Sequence, residues 1–299
     1  MSGSGILDEA LKVNISSIRN ATHFALCGGG RIRYLIALKG GKKRLAGNLS
    51  SYSGKLGALM KILPYLPIAV LKFFGLGYFT NVELHPEIKE IIGKRDWNVI
   101  VGTYDEKQKL VIQVFDPTVP AQYIKIGNEN TDEEMKAEIH FLRRYKKYNA
   151  FDLPKLSDSV LRDGQHQFNI MVTEEFEGSK VEPVLTREII EIYREISSEK
   201  KMADGVEYEF SHGDFAPWNV KKKKETGYTV FDWEHCGFRV KGYDLAYFMT
   251  ITEVALSGKS FEEGLAVGLE KIREFLPEFS IEKDEFMKEF RKTVKELSD

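Results

Sequence analysis

The chain reads as an α+β protein of two lobes, a small antiparallel sheet carrying one helix followed by a mainly helical lobe, with an N-terminal extension in front. Three observations predict this. Short runs with apolar residues at alternate positions cluster between Trp97 and Val172. One long run with helical spacing interrupts them after Thr131, and beyond Gly242 the apolar spacing is helical. A length of 299 residues is enough for two substantial cores. The reading divides the chain into an extension of uncertain fold (1–90), the sheet-bearing lobe (91–177) and the helical lobe (178–299).

In the extension, 23–26 and 32–38 suit strands around Gly28-Gly29-Gly30. No Lys-Ser or Lys-Thr follows that triple glycine, so a tight turn is expected and not a phosphate-binding loop. The stretch 56–79 is largely apolar but broken by Lys61, Pro64, Pro67 and Lys72, too interrupted for a spanning helix. Two buried helical turns around a proline kink are expected there. The alternative is contact with a membrane surface, Lys61 and Lys72 reaching the headgroups.

Segments 97–102 and 109–114 read as paired strands around the turn 103–108, and 122–127 as the next strand. Thr131-Asp132-Glu133-Glu134 reads as a capping box, followed by the stripe Met135, Ile139, Leu142 and Tyr145. Glu138 falls on that stripe, where a carboxylate is costly unless paired. Lys125, set among apolar neighbours on the preceding strand, is the expected partner, with Glu134 left to the cap. A solvated place at the edge of the stripe is the plainer alternative for Glu138. Further on, 171–178 runs from a strand into a linker, and Ile189, Ile192, Tyr193 and Ile196 mark a helix. Near the end, 260–263 is a second capping box, and Phe286, Met287, Phe290, Val294 and Leu297 form a final stripe.

The residues that point to chemistry are Ser211-His212-Gly213-Asp214-Phe215-Ala216-Pro217-Trp218-Asn219 and, beyond them, Phe231-Asp232-Trp233-Glu234. The interval between has two short alternating arms and a polar middle containing Gly227, the pattern of a hairpin. A hairpin brings its ends together, so Asn219 and Asp232 can share one ion. Phosphoryl transfer needs magnesium held against phosphates and a carboxylate beside the attacking hydroxyl. Magnesium takes hard oxygen ligands and keeps several waters, so one amide and one carboxylate suffice. Asp214 suits the base, and Asn219 and Asp232 the metal. Read singly, Asp232 and Glu234 are solvated hairpin residues and His212 a core histidine; those readings do not explain the set. His235 and Cys236 lack the paired Cys or second His of a zinc site. The lysines at 221–224 read as the solvated tip of the hairpin, with contact to an anionic acceptor or a membrane as the alternative.

This stretch resembles the aminoglycoside phosphotransferase and choline kinase superfamily, whose loop reads His-Gly-Asp, four residues, then Asn. Phe231-Asp232-Trp233-Glu234 is similar to that family's second motif, and Gly242-Tyr243-Asp244-Leu245-Ala246 to the segment opening its next helix. The likeness starts near Trp97 and covers about two-thirds of the chain. It implies a two-lobed protein kinase-like fold and a kinase using ATP or GTP with magnesium. Asp214 is then the base, Asn219 and Asp232 the magnesium ligands, and His212 architectural. Lys125, aligned by Glu138, holds the phosphates, and Glu174, Glu175 and Phe176 lie beside the nucleotide base. Asp244 is expected to cap or brace the helix starting at Leu245. Two departures stand out. The turn 103–108 has only Gly102 beside it, so it either covers the nucleotide or is a plain hairpin. The short interval before the catalytic loop favours an extended acceptor such as a glycan over a compact one, with small molecules and sugars the family's range. A regulatory nucleotide-binding module and a nucleotidyl transferase are the alternatives.

Composition limits the partners. A formal net charge of −2 supplies no global field for nucleic acid. Two cysteines, Cys27 and Cys236, give no disulfide framework and suit a reducing compartment, so a cytoplasmic protein is expected, peripheral at a membrane in the alternative above.

Overall fold

The computed structural model describes residues 6–40, 66–102, 104, 106–116, 119–144, 147–176, 178–223 and 227–298. The chain divides into two compact units, Met1–Met135 with Lys155–Glu175, and Lys136–Pro154 with Phe176–Asp299. It is α+β, as expected: an antiparallel sheet dominates the first unit and helices dominate the second.

The first unit is built on nine strands: β1 (Leu11–Ile15), β2 (His23–Gly28), β3 (Arg31–Ala37), β4 (Gly77–Leu84), β5 (Asp96–Val101), β6 (Leu110–Asp116), β7 (Val119–Gly127), β8 (Leu156–Val160) and β9 (Asn169–Glu174). Their order is β1-β4-β2-β3-β5-β6-β7-β9-β8, and every pairing is antiparallel. The strands expected at 97–102, 109–114 and 122–127 are present as β5, β6 and β7. Strands from the extension continue the same sheet, because Tyr34 and Leu35 on β3 pair with Ile100 and Val99 on β5. Gly29 and Gly30, at φ 61° and 77°, make the expected turn between β2 and β3. Leu35, Val99, Leu110, Ile112, Ile124 and Ile170 bury one core with Ile88 and Ile92 of the helix Pro86–Ile92.

Two expectations change here. Of the apolar stretch 56–79, residues 56–65 lie outside those described. The rest is one short helix, Ile68–Phe73 entered from Pro67, and then the start of β4. The turn expected before the kink lies among the residues outside those described, and 77–79 is strand because Gly77 and Phe79 find ladder partners in Leu26 and Phe24. Among the described residues no helix is long and apolar enough to cross a membrane. The capping box at Thr131 is replaced by a 3-10 turn, Glu129–Thr131, in which the Asn128 side chain accepts from the Asn130 N–H at 3.2 Å. The Thr131 hydroxyl donates to the Asn128 carbonyl at 2.9 Å, and Glu134 forms ion pairs with Lys107 at 2.8 Å and with Lys109. Asparagine wins the cap because its amide oxygen reaches an N–H two residues on.

The second unit carries helices Arg187–Ile196, Tyr243–Ser257, Phe261–Phe275 and Lys283–Ser298. Two three-stranded sheets accompany them. One holds β10 (Ser179–Lys180), β13 (Val220–Lys222) and β14 (Tyr228–Val230); the other holds β11 (Lys200–Ala203), β12 (Val206–Ser211) and β15 (Gly237–Val240). The hairpin β11–β12 separates the helix Arg187–Ile196 from the 212–219 loop, so that loop does not follow the helix at once. The box at Ser260 and Glu263 forms in both directions. Phe286 and Phe290 are fully buried, whereas the side chains of Tyr145, Val294 and Leu297 lie outside the described residues.

Candidate active site

Strand β12 delivers Ser211 and His212, and the chain then turns at Gly213, whose φ is 85°. A side chain there would overlap the carbonyl oxygen of His235, so both the left-handed conformation and the space demand glycine. The loop is held from below by Asp244. Its carboxylate accepts the Ser211 hydroxyl at 2.6 Å, the His212 N–H at 2.7 Å and the Gly213 N–H at 3.0 Å. The helix Tyr243–Ser257 starts instead from Gly242 in a left-handed conformation, without a side-chain cap. Of the expectation that Asp244 caps or braces its own helix, the capping half is thus corrected: in this buried helix start the carboxylate accepts from three loop donors instead.

His212 ties the loop to the second motif. Its Nδ1 accepts from the Asp214 N–H at 3.3 Å and its Nε2 meets the Phe231 carbonyl oxygen at 3.0 Å. A carbonyl only accepts, so Nε2 carries the hydrogen and the ring is neutral. Full burial lowers the imidazole pKa and keeps it so.

The hairpin forms with Val220 opposite Val230, and the Phe231 N–H donates to the Asn219 carbonyl at 3.1 Å. Asn219 and Asp232 thereby sit at one end of the ladder. The Asn219 Nδ2 donates to the Asp214 carbonyl at 2.9 Å and to its Oδ2 at 2.8 Å, which leaves Oδ1 as the atom for a cation. Burial pushes the Asp214 carboxyl up to about 7, and the charges of Asp232 and Glu234 add to that. Tyr247 and Asn219 work the other way by favouring the ionised form. The Tyr247 hydroxyl lies buried beside Asp214.

Asp232 adopts φ 70°, one of two non-glycine residues described with positive φ. Such a conformation costs about 1–3 kcal/mol and is kept only where the surroundings impose it. Trp233 is the anchor. Its ring is buried and stacked 4.1 Å from Phe141, its Nε1 donates to the Val230 carbonyl at 3.0 Å, and its N–H donates to Glu138 Oε1 at 3.1 Å. With Trp233 pinned inward, Asp232 and Glu234 come to the same side. Carboxylate oxygens of Glu138, Asp232 and Glu234 lie within 4.8 Å of one another. Three hard oxygen donors at that spacing, with the Asn219 amide nearby, fit magnesium.

Glu138 is therefore buried, as its place on the stripe implies, and it faces the second motif. Lys125 lies on β7 between Val111 and Met171, half-buried. Glu174 ends β9; its N–H donates to the Lys155 carbonyl at 3.0 Å and its side chain pairs with Lys155 at 2.6 Å. The Glu175 N–H donates to the Ala121 carbonyl at 2.8 Å, and the chain passes from one unit to the other between Glu175 and Phe176. Phe176 packs against Phe231, centroids 5.0 Å apart, with the Lys221 ammonium 4.6 Å from the Phe176 ring. Lys221 is consequently no solvated hairpin tip. Lys223 pairs with Asp152, and Lys224 lies outside the described residues. Burial and the neighbouring Lys221 charge push the Lys180 ammonium down to about 8. Of the turn 103–108, Thr103 and Asp105 also lie outside the described residues.

Sequence reasoning missed Glu234 as a member of the acidic group and Tyr247 as a neighbour of Asp214. Alternation about the buried Trp233 is the signal that identifies the first. Nothing in the spacing marks Tyr247.

No protein-family model matches the chain, and no curated protein matches it. Among solved structures it is similar to an aminoglycoside-3′-phosphotransferase of type VIII, at 13% identity over 68% of this chain and 96% of that one, with a TM-score of 0.49. It is similar also to the apo form of a thermostable mutant of aminoglycoside phosphotransferase APH(4)-Ia, at 12% identity over 64% and 82% of the two chains, TM-score 0.45. A third is the macrolide 2′-phosphotransferase MphH from Brachybacterium faecium, at 13% identity over 64% and 88%, TM-score 0.39.

Proposed function

We propose that the protein is a kinase that moves the γ-phosphoryl group of ATP or GTP to a hydroxyl of a small molecule, sugar or glycan. The observation that carries this reading is the grouping of Asp214, bonded by Asn219, with Asp232 and Glu234 at the end of one hairpin, where the last two meet Glu138 of the helix Asp132–Arg144. In the reaction the acceptor oxygen attacks the γ-phosphorus, the bond to the β–γ bridging oxygen breaks, and the nucleoside diphosphate leaves. Asp214 orients the acceptor hydroxyl and takes its proton. Asn219 and Asp232 would hold magnesium, which when bound neutralises charge on the phosphates. Glu234 is added to that set here, and Glu138 orients it through the Trp233 N–H.

Lys125 is proposed to hold the α and β phosphates, with Glu138 aligning it, and Glu174, Glu175 and Phe176 to border the nucleotide base. Among the described residues the interval from Phe176 to the loop holds the two-residue strand β10, one helix and one hairpin, which supports an extended acceptor over one enclosed by many side chains. Incubation with ATP and magnesium, followed by mass spectrometry of candidate sugars, glycans and amino alcohols, tests the reading. ADP with a phosphorylated acceptor supports it. Pyrophosphate release means nucleotidyl transfer instead, and no product from any acceptor class leaves a regulatory module.

A further inference from the structure

The charge of this chain is segregated. Between Glu9 and Glu83 there are eleven lysines and arginines and no aspartate or glutamate, in a chain whose overall balance is −2. The remainder accordingly carries −13. Among the described residues, Lys12, Arg19, Arg31, Arg33, Lys39 and Lys72 belong to this basic set, and all six are exposed. Arg31 and Arg33 lie over Tyr104, at 4.9 and 5.5 Å, and Tyr104 packs on the core of Leu35 and Val99. Arg19 and Lys39 are instead next in sequence to Ile18 and Leu38, which line one groove with Lys72.

Apolar surface lies in the same part of the sequence. Phe73 and Phe74, at the end of the helix Ile68–Phe73, are 85% and 67% exposed, their rings edge to face at 5.5 Å. Ile15 and Ile18 are 82% and 64% exposed. Ile18, Leu38, Ile68, Lys72, Phe73 and Phe79 line one shallow groove, and the Lys72 ammonium lies 5.1 Å from the Phe79 ring. A soluble surface has no use for two adjacent exposed phenylalanines beside exposed isoleucines.

We propose that this face docks on an anionic lipid bilayer, with Phe73, Phe74 and Ile18 entering the headgroup–acyl boundary and Lys72, Arg19 and Lys39 held by lipid phosphates. Charge complementarity selects the occupant. Two copies of so basic a face repel each other, which disfavours a homodimer through it. A base stacks on a ring face left open, whereas the Phe73 and Phe74 rings meet each other edge to face and the exposed isoleucines beside them offer neither a stacking plane nor a hydrogen bond, which disfavours nucleic acid. A bilayer with anionic lipid satisfies both halves, because apolar insertion and basic attraction act together at such surfaces. The proposal does not depend on the kinase reading.

The test is co-sedimentation of the full chain with vesicles of phosphatidylcholine alone and of phosphatidylcholine carrying about a third phosphatidylglycerol. Binding to the anionic vesicles should be at least about tenfold tighter than to the neutral ones and weaken steeply with salt, as each cation near such a surface is worth roughly fivefold. The variant Phe73→Ser/Phe74→Ser should lose about tenfold while keeping the salt dependence; Arg19→Glu/Lys72→Glu should lose as much and flatten it. Equal or absent binding of the unaltered chain to both vesicles overturns the proposal. So does capture by duplex DNA without vesicle binding, or a concentration-dependent dimer that the phenylalanine variant abolishes.

Discussion

The carboxylate of Asp244 accepts the His212 main-chain N–H at 2.7 Å, so the first turn of one helix fixes the backbone from which Asp214 projects. Two further donors, the Ser211 hydroxyl and the Gly213 N–H, end on the same group. Asp244→Ala strands buried donors, each costing about 1–3 kcal/mol, and should destabilise the protein by about 3 kcal/mol or more. Urea unfolding measures the loss; a change within error would make the contact incidental.

Gly213 permits no substitute. Gly213→Ala places a methyl group on the His235 carbonyl at φ 85°. The expected result is an insoluble protein or one at least about 3 kcal/mol less stable, since strain and overlap add. Circular dichroism melting of the soluble fraction decides it.

Asp232→Asn separates chemistry from folding. Asparagine accepts the left-handed conformation as readily as aspartate, so the melting temperature without ligands should stay within a few degrees. The stabilisation conferred by magnesium and nucleotide should fall at least about tenfold in apparent affinity, because a neutral amide replaces a charged ligand. Equal magnesium-dependent stabilisation in both proteins would remove Asp232 from the metal set.

Glu209 gives the fold a pH dependence. It is 2% exposed, accepts the Tyr193 hydroxyl and the Gly242 N–H at 2.7 Å each, and burial pushes its carboxyl up to about 7. The native state thus binds a proton more tightly than the unfolded chain, so its contribution is complete below the unfolded value of about 4.3 and is lost as pH rises through about 7. The loss is on the order of 3 kcal/mol. Glu209→Gln keeps both acceptor bonds and should flatten unfolding free energy between those pH values. A slope as steep as in the unaltered protein would contradict this.

Much of the site was legible because its residues are read by type and spacing. Asp214, Asn219 and Asp232 stand on a loop and a hairpin that the alternation around Gly227 marks, and the strands β5, β6 and β7 follow from their period. What escaped depends on contacts between distant segments. Asp244 sits near a helix start, where local rules suggest a cap, and only the fold shows that loop donors claim it. Thr131 has the letters of a capping box, but Asn128, three residues earlier, reaches the backbone first. Strands β2 and β3 were legible at 23–26 and 32–38, whereas β1, β4 and the joining of all four to the sheet were not, because an edge-to-edge continuation leaves no local signal beyond apolar runs. Lys221 reads as a solvated charge until Phe176, from another segment, comes beneath it.

The central claim is that Asp214 takes a proton from an acceptor hydroxyl during phosphoryl transfer. Single-turnover measurement with ATP, magnesium and an acceptor identified by mass spectrometry, made on the unaltered protein and on Asp214→Asn, tests it most directly. The expected result is nucleotide affinity preserved within a few-fold and transfer slowed at least about a hundredfold, the usual scale for loss of a general base. Transfer at an undiminished rate in Asp214→Asn would contradict the account.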